Sequence, residues 1–308
     1  MDIRKYESLL KINELGSLTG AANAMHYTQP GVSYMLSEIE REWGTVLFSR
    51  GKTGVSPTKE GMRLMPFIRD ICEANKRLMD ELDALRGIES GSVTIGTFTS
   101  ISVHILPSVL KKYQTEHPNI EIKLLHGNYG EIEEWIRDGI ADIGFMEHPT
   151  GTGIQTIPFG QDRLVAILPL GHELAGYEKF PTIHLIEQPY IGMENGVDGK
   201  IAEVLQRNGT PLNVKLRVKD DFETLAMVES GLGISILPEL LLYRTHFQIA
   251  VRELDYPLTR KICVALQGVD TLSHAARQFL NMLFSSHWDW EEQAPFTRVE
   301  HAGQKIHF

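Results

Sequence analysis

The chain has 308 residues, 42% hydrophobic and 23% charged, a composition that fits a soluble protein with more than one buried core. No run approaches the roughly 18 uncharged apolar residues of a membrane span, and the opening Met1-Asp2-Ile3-Arg4-Lys5-Tyr6-Glu7 has no apolar stretch of a signal peptide, so a cytoplasmic setting without a membrane partner is expected. The formal net charge is −10, yet residues 1–69 hold nine Lys/Arg against seven Asp/Glu while residues 87–308 hold 18 against 28, so the acidity belongs to the C-terminal part. A nucleic-acid partner is not excluded for the N-terminal part, because phosphate binding needs local positive charge rather than a basic whole chain.

Ile3, Tyr6 and Leu10 recur at i, i+3 and i+7 and predict a first helix, ended by Gly16. Leu18, Ala21, Ala22 and Met25, then Val32, Met35, Leu36 and Ile39, predict two more short helices. Between them Thr28 suits an N-cap and Pro30 is tolerated in a first turn, where its missing N–H has no helical partner. Periodicity alone leaves a generic three-helix bundle open. The face of the third helix turned from its apolar stripe, however, carries Gln29, Ser33, Tyr34 and Ser37, hydrogen-bonding groups suited to base edges and phosphates. Val46-Leu47-Phe48 then reads as a strand leading into the glycine-punctuated basic loop Ser49–Thr58. That loop reads as a wing, with Arg50, Lys52 and Thr53 facing the DNA backbone or minor groove. The carboxylates Glu38, Glu40 and Glu42, like Glu131, Glu133 and Glu134 further on, read as solvated helix faces.

Leu64, Ile68, Ile71, Asn75, Leu78, Leu82 and Leu85 alternate spacings of four and three, a heptad seam that predicts dimerisation through residues 59–86. A long helix packed on its own domain is the alternative. Pro66 is expected to offset or kink its start, and residues 87–91 read as a hinge. Beyond it strands and helices alternate, from Val93–Phe98 through Ile120–Leu124 and Asp142–Met146 to Leu164–Pro169 and Lys261–Leu266. The order predicts an α/β unit with a mainly parallel sheet in two lobes. The strand-end loops at Thr99-Ser100, Gly127-Asn128, Glu147-His148 and Glu194-Asn195 would face one cleft. Residues 288–308 show no period and are expected to form a loosely held tail.

Gly16-Ser17-Leu18, Ala21-Ala22, Thr28-Gln29-Pro30, Val32-Ser33, Glu38-Ile39-Glu40, Leu47-Phe48-x-Arg50 and Thr58-x-x-Gly61 stand at spacings that resemble LysR-type transcriptional regulators. Pro169-x-Gly171-His172-x-Leu174-Ala175 and Gly231-Leu232-Gly233-Ile234-x-x-Leu237-Pro238 resemble that family's sensor landmarks. The resemblance implies base reading by Gln29, Pro30 and Ser33, while Tyr34 stands where many members have arginine. It implies α/β architecture overall: a winged helix-turn-helix at 1–58, a dimerising linker helix at 59–86, and a sensor like a periplasmic solute-binding protein. Lobe 1 is expected at 92–161 with 267–287, and lobe 2 at 162–266. The implied partners are double-stranded DNA carrying an inverted-repeat operator, a small-molecule effector, the chain itself as dimer and tetramer, and RNA polymerase. The effector site is expected at Thr99, Ser100, Asn128, Glu147, His148, Glu194 and Asn195. This set holds acids and no Arg or Lys, with Lys200 the nearest cation, which favours a neutral or amine-bearing ligand over a dicarboxylate.

An enzyme or a solute-binding protein with an accessory helical domain are the rival readings. No GxSxG, Walker loop, HExxH or dinucleotide fingerprint occurs, so no catalytic residue, cofactor or metal ligand is expected. Cys72 and Cys263 lie in apolar periodic segments and read as buried reduced thiols. A solute-binding protein would have no use for residues 1–60.

Overall fold

The structure is a computed structural model that describes residues 2–51, 54–85, 91–147, 153–194 and 212–299, without the side chains of Asp80, Asp83 and Ala84. The chain divides into two compact units, Met1–Ile88 and Glu89–Phe308.

The first unit opens with α1 (Ile3–Leu15), α2 (Leu18–Ala24) and α3 (Gln29–Trp43). Each starts on an oxygen-bearing side chain: Asp2, Ser17 and Thr28 accept from the N–H of Arg4, Gly20 and Gly31, satisfying amides that lack a helical partner. Gly16 and Gly44 end α1 and α3 in the left-handed region, at φ 58° and 63°. Leu9, Ile12, Ala21, Ala22, Val32, Leu36 and Ile39 close into one core. The wing is a hairpin, β1 (Phe48–Gly51) antiparallel to β2 (Gly54–Pro57), rather than one strand and a loop. Val46 stays outside it and is 61% exposed, whereas Leu47 and Phe48 are buried. Glu40 is not a solvated carboxylate: its Oε1 accepts from the N–H groups of Leu47 (2.7 Å) and Phe48 (3.2 Å), tying the hairpin to α3.

Thr58 begins α4 (Lys59–Leu85) by accepting from Gly61 N–H at 2.9 Å and donating to the Val46 carbonyl at 2.7 Å. The spacing Thr58-x-x-Gly61 thereby has a physical cause, since a Cβ at Gly61 would stand 2.2 Å from the Leu47 carbonyl oxygen. Gly61→Ala is expected to destabilise this unit by about 1–3 kcal/mol. A lowered urea midpoint would show it, and an unchanged midpoint would refute so close an approach.

The helix runs unbroken through Pro66 and packs on α1. This corrects part of the predicted seam. Ile68 is 2% exposed and lies in the core of the first unit with Met65, and Leu64 and Cys72 pack against it. The first turns find their partner stripe within the same unit, so Ile68 is a core residue and Leu64 packs, half-buried, against that core. Further along, Ile71, Leu78 and Leu85 are exposed, while Asn75 and Leu82 are half-buried.

The second unit begins with β3 (Gly91–Thr97), α5 (Thr99–His104), α6 (Leu106–Glu116), β4 (Ile120–His126), α7 (Tyr129–Arg137) and β5 (Ile143–Met146). Then come β6 (Gln155–Pro169), β7 (Lys179–Phe180), β8 (Tyr190–Met193), β9 (Val214–Val218), α8 (Asp221–Glu229), β10 (Ser235–Pro238), α9 (Glu239–Leu242) and β11 (Ile249–Leu254). β12 (Thr259–Leu266), α10 (His274–Ser285), α11 (Trp290–Gln293) and β13 (Thr297–Arg298) complete it. Of the expected hinge only Gly91 is described, opening β3 at φ 131°; residues 87–90 lie outside the described residues.

The sheet is mixed rather than mainly parallel. β4, β3 and β5 run parallel, but β12, β10 and β11 pair antiparallel with β6. β6 is the strand that changes lobes. Its residues up to Arg163 pair with β12, and those from Leu164 pair with β10 and β11. The return crossing lies between β11 and β12, not near 267 as expected. Ile262, Val264, Ala265 and Leu266 are buried in the lobe 1 core beside Val93, Ile95 and Phe145. An apolar run identifies a strand but not the sheet that receives it, which is why the boundary fell late.

The expected loose tail is also corrected for its described part. Trp288, Trp290 and Phe296 are buried in the lobe 1 core, and β13 pairs with β6. Gly160 makes room for the Phe296 ring, which would lie 2.3 Å from a Cβ there. Arg298 fastens the segment by donating to the carbonyls of Leu283 (2.9 Å) and Ser286 (2.8 Å). Residues 300–308 lie outside the described residues. Cys72 and Cys263 are unpaired thiols, each pushed up to about 11 by burial.

Candidate functional site

In the first unit the third-helix residues stand as one surface. Gln29, Pro30, Tyr34 and Ser37 are exposed on α3 and Ser33 is half-buried among them. Arg50 of the hairpin reaches this face: its Nη2 donates to Ser33 Oγ at 2.9 Å. That bond sets the wing cation beside the helix and leaves the Ser33 hydroxyl proton free to donate. Ser37 Oγ donates to the Ser33 carbonyl at 2.9 Å. Tyr34 is 63% exposed and its hydroxyl donates to Glu38 Oε1 at 3.3 Å. Glu38 also meets Lys5 Nζ at 2.6 Å, a hydrogen bond that holds its carboxyl below the ordinary carboxylate range. Thr28 serves as the N-cap, its Oγ1 accepting from the Gly31 N–H at 3.3 Å. Lys52 and Thr53 lie outside the described residues.

In the second unit a cavity of about 370 Å³ opens between the lobes, lined from lobe 1 by Thr99, His126, Asn128 and Tyr129 and from lobe 2 by Glu194, Lys219 and Asp221. That volume is at the small end of metabolite sites, about 300–1,000 Å³. Arg260 lies at its base, where both chain crossings meet. The Arg260 Nε and Nη2 donate to Asp162 at 2.9 and 2.7 Å, Nη2 also to Ser100 Oγ at 3.0 Å, and Nη1 to the Tyr129 hydroxyl at 3.4 Å. Its guanidinium lies 5.0 Å from the Phe98 ring centre. Asp162 in turn accepts from the Leu240 N–H at 3.3 Å, where α9 begins. Burial pushes the Tyr129 phenol up to about 12, so it remains a neutral hydroxyl.

Of the expected effector residues, Thr99, Asn128 and Glu194 line the cavity. Asn128 also caps α7, sharing a reciprocal pair of bonds with Glu131, so its side-chain oxygen is partly spent. Ser100 is not among the lining residues; it is 2% exposed and accepts from Arg260. Glu147 is not among the lining residues; its carbonyl accepts from Cys263 Sγ at 3.5 Å. His148, Asn195 and Lys200 lie outside the described residues. Glu133 is not simply solvated, for it is 8% exposed and bonds Arg137 at 2.7 Å, whereas Glu131 is exposed and takes part in the α7 cap. The expectation of a cleft without Arg or Lys is overturned by Arg260 and Lys219. One signal for Arg260 was present: along Thr259–Leu266 it alternates in phase with Ile262 and Val264, a buried register.

Residues 3–62 match the bacterial regulatory helix-turn-helix proteins of the lysR family, and residues 86–287 match the LysR substrate binding domain. The chain belongs to the LysR family. This LysR-type regulator is 27% identical over 285 residues to the uncharacterized HTH-type transcriptional regulator YvbU of Bacillus subtilis (strain 168), across 92% of this chain and 97% of that one. Its fold is similar to a full-length OxyR variant from Pseudomonas aeruginosa, with a TM-score of 0.74 at 18% identity over 97% of this chain and 99% of that one. It is similar also to CbnR, a LysR family transcriptional regulator, with a TM-score of 0.66 at 20% identity over 94% of this chain and 100% of that one. The LysR-type regulator is thus a DNA-binding transcription regulator with an effector-binding domain. No described helix is long and apolar enough to cross a membrane.

Proposed function

We propose that this regulator works in the cytoplasm as a non-enzymatic switch. It reads an inverted-repeat operator with α3 and the wing, and a small molecule held between the sensor lobes changes that reading. The observation that carries it is the exposed α3 face, with Gln29, Ser33 and Tyr34 beside a wing arginine already fastened to Ser33. Gln29 and Ser33 meet base edges, Arg50 and Lys52 meet phosphates. CbnR has been solved with its target DNA, which supports this use of the same fold. Self-association through the open face of α4 gives the paired readers, a second contact between sensor units gives a tetramer, and RNA polymerase is the further partner at the promoter.

Selection from random duplexes with the full chain tests this. An inverted repeat should be enriched, and Gln29→Ala should weaken binding by about 1–3 kcal/mol while relaxing choice at one base step in each half-site. Unchanged discrimination in that variant would remove the base-reading role of Gln29. If no sequence were enriched above random, the reader assignment itself would fall.

A further inference from the structure

We propose that the molecule taken by the cleft carries an ammonium group, and that Asp221 at the start of α8 receives it. The proposal rests on the effector reading above and names the ligand class that the cavity accepts.

The lining holds four carboxylates, Glu131, Glu194, Asp220 and Asp221, against the cations Lys219 and Arg260. Most already have work. Glu131 accepts from the Asn128 N–H at 2.8 Å. Asp220 caps α8, accepting from the N–H of Phe222 at 2.8 Å and of Glu223 at 3.2 Å. Glu194 lies 3.6 Å from Lys219, whose side chain is 82% exposed and belongs to the rim. Arg260 spends its charge on Asp162, a pair sealed from solvent at 4% and 0% exposure. Asp221 forms no ion pair among the described residues. It stands half-buried in the cavity wall, and burial raises its carboxyl above the ordinary range while Thr99 and the Arg260 guanidinium draw it back. A carboxyl in that condition lies in a desolvated place without a full counter-charge, which is what a bound cation supplies.

The opposite wall suits the same group. Thr99 Oγ1 lies 3.2 Å from His126 Nε2, and with the neutral Tyr129 phenol it offers lone pairs rather than charge. An ammonium has donors only, so it can bond Asp221 from lobe 2 and Thr99 from lobe 1 together. Such a ligand binds best when the lobes approach, and this differential affinity lets it shift the lobes' equilibrium. A dicarboxylate of the same size would meet the Asp221 and Asp220 carboxylates with an already paired guanidinium and the solvent-exposed rim ammonium of Lys219 to answer them.

The ammonium could belong to an amino acid or to an amine without a carboxylate, and the test separates them. The full chain is heated with three probe sets at millimolar concentration: the protein amino acids; ethanolamine, putrescine and spermidine; and deaminated counterparts (the 2-hydroxy acids and diols) with simple dicarboxylates. At least one ammonium probe should raise the melting temperature while its deaminated counterpart does not, and the set it belongs to names the source. Calorimetry should show that probe bound about ten-fold or more weakly by Asp221→Asn. Asp221→Glu, which keeps the charge, should retain the preference for the ammonium form. The unliganded melting temperature of each variant controls for misfolding.

The proposal is overturned if deaminated acids or dicarboxylates bind wild type and Asp221→Asn alike, or if no ammonium probe binds. Thr99→Val separates that failure from failure of the cleft reading. Loss of an acid probe's binding in Thr99→Val would overturn the ammonium and keep the cleft. A bound probe indifferent to both Thr99→Val and Asp221→Asn would place its site elsewhere and overturn both.

Discussion

Arg260→Met is expected to destabilise the sensor unit by about 3–5 kcal/mol, because it strands the Asp162 carboxylate in the interior. The pair lies 2.7 Å apart where β6 and β12 meet, with neither side chain more than 4% exposed. In a unit of this size that loss lowers the melting temperature by roughly 6–20 °C. Asp162→Leu should be comparably damaging, since it leaves an uncompensated guanidinium. The double variant Arg260→Met with Asp162→Leu should recover much of the loss, because an apolar pair of similar volume removes both desolvation penalties. Urea unfolding of all four proteins reads the cycle. Singles within about 1 kcal/mol of wild type would mean that water reaches the pair and that it does not fasten the crossings. The double variant has a further use. It removes the donor to Ser100 and the base of the cavity while keeping the fold, so a stable double variant that ignores effector would tie the pair to sensing rather than to stability alone.

Local rules made the first unit legible and distance hid much of the second. The caps Ser17 and Thr28, the stop signals Gly16 and Gly44 and the stripe Val32, Leu36 and Ile39 act within one or two helical turns, so the sequence displays them directly. Glu40 escaped because its partners are backbone amides seven and eight residues on, which spacing on the helix cannot reveal. The cavity is harder still. Asp162 and Arg260 are 98 residues apart, and Ser100 and Arg260 are 160 apart. Strand-end loops could be nominated one by one, which found Thr99, Asn128 and Glu194, but Asp221 entered through a helix start in lobe 2 that no motif marks. The tail shows the same limit from the other side. Trp288, Trp290 and Phe296 dock singly into lobe 1, without a period for a sequence pattern to register.

The open half of α4 carries the other large effect. Leu78→Asp with Leu82→Asp is expected to turn a dimer into monomers, with the dissociation constant raised by more than about 10⁴-fold. The reasoning starts from exposure. Ile71 is 36%, Leu78 57% and Leu85 78% exposed at intervals of seven, with Asn75 and Leu82 filling the alternate seam positions. A symmetric pairing of two such helices would bury four leucines at these two positions, each contributing about 1.5–3 kcal/mol, and every 1.4 kcal/mol is ten-fold in affinity. Carboxylates placed there repel across the seam as well. Ile68→Asp provides the contrast that isolates the effect. Ile68 is 2% exposed inside the core of the first unit, so its replacement should unfold that unit rather than release an intact monomer. Light scattering with circular dichroism separates the outcomes: the double variant should lose mass and keep its helix, while Ile68→Asp should lose helix and cooperative melting. On DNA, the folded monomer should bind a half-site weakly and gain nothing from the second half of an inverted repeat, because the two readers are no longer joined. An unchanged dimer in the double variant would move the interface away from α4 and leave the exposed leucines without a partner of this kind.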